Sequence, residues 1–484
     1  MENVRRLKTL LTVALFAFLP TAQGGDLLIQ NGTLFTLDGL MHADVRIRGE
    51  TILEIGELLP APSDERTIDA EGLLILPGGI DPHVHLAPAT AAFPFADDFE
   101  SGSRAALAGG ITTVGHMAFP ADGELPTQTL SRERKLIEGK TIADVFVHTT
   151  ILQPTEEAIA DLPELVKLGQ PSIKIFMPFE SFEPEFPNFL KLMKAASNAG
   201  IRVAIHCEDA HTINDAIRTL VGKGQTSLDH YPQSRPVVSE VVAIQRAVAM
   251  AETTNASIYI VHLSAARALE AATAGRHRLP VAVETRPLYL HLTQDVYQKP
   301  DGGLFVGMPP IRAQADSDAL WEGIRAGTID TVATDHAPWT REQKLAPDHT
   351  IATPRPGVNN LQHMLPMLFS EGVVTGRISL EQFVAVTAEN AAKLFGLYPK
   401  KGAIAPGSDA DLVIWDRAEK RTIEDADVLS KTGYSIYSGT EVTGWPHVTI
   451  RRGEIVYEGG KVHPGENSGQ VIVRNPIGSL SVKE

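Results

Sequence analysis

Cysteine is almost missing: Cys207 is the only one in 484 residues. A single thiol rules out an intramolecular disulfide and a cysteine-built zinc site. Positive charge is also short. Lys and Arg number 43 against 59 Asp and Glu, a formal net charge of -16. Such a surface repels phosphate backbones, so nucleic acid is not an expected partner. After residue 24 no apolar run reaches the roughly 20 residues that cross a bilayer, so no membrane span is expected in the mature chain. There is no Gly-x-Gly-x-x-Gly fingerprint to support an open dinucleotide-binding sheet. Internal repeats and low-complexity tracts are absent too. What is present is ordinary globular usage, 43% hydrophobic and 21% charged, which excludes a disordered or fibrous chain. At this length a single core stops growing, so one large domain plus a smaller one is expected.

The first residues read as a targeting segment. MENVRRLK is basic, TLLTVALFAFL is apolar but too short to span, and Pro20, Ala22 and Gly24 suit a cleavage site. Residues 1–24 are therefore expected to be a signal peptide, which places the mature chain in the periplasm or outside the cell. The alternative is an N-terminal helix or an early start codon in a cytoplasmic protein.

Residues 25–76 carry short β-like runs, with Asn31-Gly32 and Arg48-Gly49 as expected hairpin turns. From 77 to 400 the pattern becomes α/β: short apolar runs alternate with helix-length amphipathic stretches. The strands read as LILPGGIDPHVHL, ITTVGHM, VFVHTTI, SIKIFM, RVAIHC, SIYIVHL, VAVETRP and TVATDHA. About eight strands is the number that a closed parallel barrel requires, and near-continuous apolar runs fit burial on both faces. Residues 401–465 are β-like again and are expected to pair with 25–76 in one small domain. The tail, 466–484, is polar and turn-rich, and is expected to fray or to pack on another subunit.

Ligand-type residues fall at the strand ends. His83 and His85 are two apart, so their side chains point the same way. His206 ends RVAIHC, His262 ends IYIVHL and Asp335 ends TVATD. Four imidazoles and a carboxylate at the end where barrels place chemistry suit zinc or a similar divalent metal. Lys174 lies inside the apolar strand SIKIFM. A buried lysine is expensive unless it is paired or neutralised, and snorkelling to the strand end is the alternative.

These runs, with DDFESGSRAALAGGITTV, HCED, VHLS, ATDHAP and NAAKLFGLYPKKGAIAPGSDADLVIWD, resemble the amidohydrolase superfamily in its hydantoinase, dihydropyrimidinase, allantoinase and dihydroorotase branch. The resemblance covers about residues 27–460. It implies a (β/α)8 TIM-like barrel with a small composite β-sandwich domain from both chain ends. It also implies two divalent metal ions, zinc foremost, and Lys174 carboxylated on its side-chain nitrogen. By motif match His83, His85 and Asp335 would hold one metal, His206 and His262 the other, with Lys174 bridging. A water shared by the metals would attack an amide carbonyl while Asp335 acts as the catalytic proton shuttle. Relatives are commonly tetramers or dimers, so a homo-oligomer is expected.

Departures from the branch bear on the substrate. Dihydroorotases carry an arginine just after His-x-His; here Ala87 follows, which argues against dihydroorotate. Hydantoinases carry a tyrosine five residues after the bridging lysine; here it is Phe179. Arg286 stands where hydantoinases have a small or sulfur residue, and fits either an anionic substrate group or a structural ion pair. Asn359 and Asn360 fit either a ureido group or a helix cap near Leu361. His336 fits either substrate contact or support of the site. His116 has no assigned role, Cys207 reads as a small buried residue, and Asp97 and Asp98 read as helix N-terminal residues. The expected function is hydrolysis of a small cyclic amide: a hydantoin, dihydropyrimidine or allantoin-like ring. A hydrolase of linear amides is the alternative, and Arg286 and Arg355 would favour its carboxylated substrates. A non-catalytic scaffold is a third reading, disfavoured because all six ligand residues remain.

Overall fold

The computed structural model describes residues 26–63, 65–86, 93–276, 278–463 and 469–477. The expected signal peptide lies outside the described residues. Among the described residues no helix is long and apolar enough to cross a membrane.

The N-terminal strands are β1 (Leu27–Thr36), β2 (Gly39–Arg48), β3 (Thr51–Gly56), β4 (Arg66–Asp69) and β5 (Leu74–Pro77). Eight more follow: β6 (Gly79–Val84), β7 (Ile111–Ala118), β8 (Asp144–Thr150), β9 (Ser172–Phe176), β10 (Arg202–His206), β11 (Ile258–Ile260), β12 (Val281–Thr285) and β13 (Thr331–Val332). The last are β14 (Leu412–Thr422), β15 (Glu441–Arg451), β16 (Glu454–Glu458) and β17 (Lys461–Val462). One sheet runs β17-β16-β15-β14-β5-β1-β2-β3, with β4 paired to β1; the other runs from β6 to β13 in chain order.

The second sheet is a parallel barrel. Its seam is joined where Val84 bridges His336, and the His85 N–H donates to the His336 carbonyl at 2.8 Å. Each of the eight apolar runs supplies one barrel strand. Helices return the chain between them, started and stopped by local signals. Thr155 accepts the Ala158 N–H to open Glu156–Lys167, and left-handed Gly200 ends Phe186–Ala199. Near the N-terminal strand ends, Phe395 packs against Phe146 and Tyr259, with ring centroids 5.6 and 5.1 Å away.

The first expected barrel strand divides at Gly78. A β-carbon there would lie 2.3 Å from the Thr112 hydroxyl, so only glycine lets the chain pass. Leu74–Pro77 pairs antiparallel with β14, and Gly79–Val84 enters the barrel. The composite sheet encloses its own core of residues such as Ile29, Val45, Ile47, Ile75, Ile414 and Ile450. The Asn31-Gly32 hairpin is corrected: β1 runs through it, with a register shift between Ile29 and Gly32. Left-handed Asn31 makes a bulge rather than a turn, and its N–H donates to Asp44. The Arg48-Gly49 turn forms as expected, with Gly49 at φ 58.

The tail also differs from expectation. Residues 469–477 pack on their own barrel: the Val145 N–H donates to Gln470 and the Ile472 N–H to Val145, each at 2.8 Å. Buried Arg474 donates to the Val147 carbonyl and the Ser172 hydroxyl at 2.9 and 2.8 Å. Where barrel and sheet meet, Lys401 Nζ lies 2.7 Å from Asp144, 3.1 Å from Asp409 and 2.5 Å from Asp411.

His363 is also buried, with Nδ1 at 3.2 Å from the Ser435 hydroxyl. Burial pushes its imidazole down to about 4. The lowered folded value means the neutral ring stabilises the fold fully above the unfolded value near 6.5, and that stability is lost as pH falls towards 4. Across that window the wild type is expected to lose about 3 kcal/mol more than His363→Gln. Urea titrations at a series of pH values check this; parallel curves would refute it.

Candidate active site

The C-terminal ends of the barrel strands meet in one cleft of about 350 Å³. His83 lies on β6 and His85 just beyond it. Lys174 is in β9, His206 ends β10, His262 follows β11 and Asp335 follows β13. All six line the cleft. Asp335 Oδ1 lies 3.2 Å from His83 Nε2 and 3.0 Å from His85 Nε2. The His206 and His262 rings have centroids 4.3 Å apart. His262 and Asp335 sit at φ 43 and φ 47, the left-handed region. A β-carbon is crowded there, so each costs about 1 kcal/mol or more. Among the described residues the other non-glycine positions in this region are Asn31, Leu58, Asn255 and Arg452.

Carboxylates behind the cleft orient the imidazoles. His83 Nδ1 is 2.8 Å from Glu284 Oε1, which also accepts the His262 N–H. That leaves His83 Nε2 facing Asp335. His206 Nε2 is 2.7 Å from Glu208 Oε2, and Arg235 grips the same carboxylate at 2.9 and 2.6 Å. Burial pushes His85 down to about 4 and lowers His206 and His262, so these rings are neutral, the form that binds metals. Burial opposes ionisation of Asp335, but Arg286 and the His83 and His85 rings outweigh it and hold the carboxyl well below its usual range.

Lys174 is the anomaly. Its side chain is 0% exposed, and among the described residues Nζ has no hydrogen-bond partner. Burial pushes the ammonium down to about 8. An orphaned amine amid four imidazoles and a carboxylate fits a site whose bridging anion and cations complete it.

The other expected residues lie behind the cleft wall. Arg286 is buried against Asp335, Nη1 to Oδ2 3.2 Å, and its Nε donates to the Thr334 carbonyl at 3.0 Å. Asn359 Nδ2 donates to Thr432 Oγ1 and the Tyr434 carbonyl, each at 2.6 Å. Asn360 Nδ2 donates to Thr334 at 3.2 Å and caps nothing with its side chain. His336 Nε2 is 3.0 Å from Asp97, which makes Asp97 a support for that ring, while Asp98 caps the helix Phe99–Ala108. His116 Nδ1 accepts the Leu86 N–H at 3.3 Å and so steadies the chain just past His85. Cys207 is buried and burial pushes its thiol up, which suits a packing role.

Sequence reading missed Glu284, Glu208 and Asp81, the last of which accepts the His83 and Thr334 N–H groups at 3.1 Å each. Glu284 and Asp81 had a signal: each is a carboxylate inside an apolar strand, as Lys174 is a cation inside one. Also missed was the aromatic wall of Phe93, Phe95, Phe119, Phe176, Phe179 and Trp339. Phe176 and Phe179 stack at 4.7 Å and 4°, and Phe119 lies between Phe176 and Phe93 at 5.7 and 5.4 Å.

On this parallel eight-stranded barrel, His83, His85 and Asp335 lie close enough together to hold a metal ion. The chain belongs to the amidohydrolase family, whose profile matches residues 74–456. It is 35% identical to a D-hydantoinase of Ralstonia pickettii over 93% of this chain and 99% of that one. A D-hydantoinase of Geobacillus stearothermophilus is 33% identical over 94% and 97%. Among solved structures, a dihydropyrimidinase from Brevibacillus agri superposes with a TM-score of 0.88 at 32% identity, covering 93% of this chain and 99% of that one.

Proposed function

We propose that the protein hydrolyses a cyclic amide of the hydantoin or dihydropyrimidine kind. The observation that carries this reading is the convergence of His83, His85, Lys174, His206, His262 and Asp335 on one cleft, in a chain collinear with D-hydantoinases. Divalent metals, zinc foremost, held by these residues with Lys174 as its carbamate, would supply an activated water and polarise the amide carbonyl. The chain's own part is mostly positioning. Lys174, whose ammonium burial disfavours, would add carbon dioxide at neutral Nζ and release a proton. Asp335, kept ionised, accepts a proton and returns it to the leaving nitrogen. Glu284 and Glu208 fix which imidazole nitrogen faces the cleft. The aromatic wall excludes water and packs a ring substituent. Phe179 offers no hydroxyl to the carbonyl oxygen, so this chain stabilises that charge without a tyrosine.

The linear-amide alternative rested on two arginines. One of them, Arg286, is committed to Asp335, which weakens it. A dimer or tetramer and export directed by residues 1–24 belong to the same proposal, supported by the resemblance and the N-terminal pattern. The test is an assay of the full chain with zinc and bicarbonate against hydantoin, 5-phenylhydantoin, dihydrouracil and N-acetyl amino acids. Ring opening is expected, falling by about 100-fold or more on chelation and returning with zinc. Turnover of the linear amides alone would overturn the reading.

A further inference from the structure

The loop 354–357 lines the cleft, as do the stacked phenylalanines. Its carbonyls are taken in succession. Buried Lys344 Nζ donates to Arg355 and Gly357, and also to Val306, at 2.7 Å each. Trp339 Nε1 donates to Pro356 between them, at 2.8 Å. The Gly357 N–H donates to Val306 at 3.0 Å. Gly357 itself stands at φ +123, where a β-carbon would come within 2.4 Å of the Ala337 carbonyl. A buried Lys344 Nζ within hydrogen-bond distance of three carbonyls locks this loop in one shape.

The side chain presented by the locked loop is Arg355. Its guanidinium lies 4.7 Å from the Trp339 ring, half-buried. Among the described residues it forms no ion pair, and its Nε is buried without a partner. The acid lining the cleft is Asp335, already paired with Arg286. Outside the six ligand-type residues and Arg355, the lining side chains among the described residues are apolar or aromatic, and the Trp339 N–H is committed to Pro356. The cleft thus joins a flat apolar wall to one rigidly held, uncompensated cation. Stacking on Trp339 and loop locking lower the ordering cost of binding an anion there.

We propose that Arg355 is a specificity residue. It selects ring substrates whose substituent is an aromatic or apolar body ending in an anionic group, such as a carboxylate. This rests on the ring-opening reading and deepens it. Lys344 and Trp339 act through Arg355 as positioning residues.

Three hydantoins test it: 5-phenyl, 5-(4-carboxyphenyl) and 5-(4-aminomethylphenyl). They differ only in charge at the far end. In the zinc-loaded wild type, kcat/KM for the carboxyl compound is expected to exceed that for the amine by about 10- to 100-fold, mostly through KM. Arg355→Met is expected to bring that ratio to within about threefold, and Arg355→Lys to retain part of it. A ratio near one in the wild type, or an unchanged ratio in Arg355→Met, overturns the assignment. Calorimetric affinities for the same compounds run alongside. Charge-selective binding through Arg355 without opening of any ring would overturn the ring-opening reading alone and leave the anion site standing.

Discussion

Lys174→Ala is expected to abolish ring opening, by about 10³-fold or more, while leaving the metal-free protein at least as stable as the wild type. The two halves of this expectation come from one observation. Among the described residues Nζ makes no hydrogen bond, and it is fully buried, so within the fold it is a cost. Truncation removes a buried amine and leaves a small cavity, and these effects oppose each other. Only a role outside ordinary packing accounts for a lysine kept there. Turnover, zinc content per chain and a urea midpoint measured on one preparation check the prediction. Activity within tenfold of wild type would remove Lys174 from the mechanism. A large fall in stability would show that the amine has a structural partner.

Lys401→Ala carries the largest expected stability effect. The ammonium lies among Asp144, Asp409 and Asp411, and is 1% exposed. These three carboxylates have the spacing of a metal site, but the lysine already occupies their centre. Arg452 also reaches Asp144 at 3.2 Å. Burial would push Lys401 down, yet the three acids outweigh it and hold it above the ordinary lysine range. Removing it strands buried negative charge, a change that costs about 3–5 kcal/mol. The urea midpoint is expected to fall accordingly, with the cleft residues untouched. A loss below about 1 kcal/mol would mean that solvent reaches the carboxylates.

The barrel and its six ligand-type residues were legible because both signals are local. Strand runs such as SIKIFM and IYIVHL announce themselves by apolarity, and alternation fixes where His83 and His85 point. The partners of those residues were not legible. Glu284 meets His83 across 201 positions, and Asp97 meets His336 across 239. No periodicity connects such pairs. Arg286 was left between substrate and ion pair because both want a guanidinium near a carboxylate; the fold put Asp335 beside it. Asn31-Gly32 misled because left-handed asparagine serves a bulge as well as a turn. The tail misled because polarity was read as exposure, whereas Arg474 buries its guanidinium against carbonyls and the Phe146 ring.

The pairing of β5 with β14, Pro77 beside Leu412, has a consequence for biosynthesis. The first strands to leave the ribosome wait about 335 residues for their neighbour, on the order of 20–70 s at usual elongation rates. During that interval the edge of β5 is an open template, and Ile75 faces a core still without Ile414 and Ile450. The barrel is translated while the sheet waits, and Val147 receives Arg474 only 327 residues later. Nascent chains arrested before residue 412 should therefore engage holdase chaperones through their N-terminal strands, and release should coincide with emergence of β14.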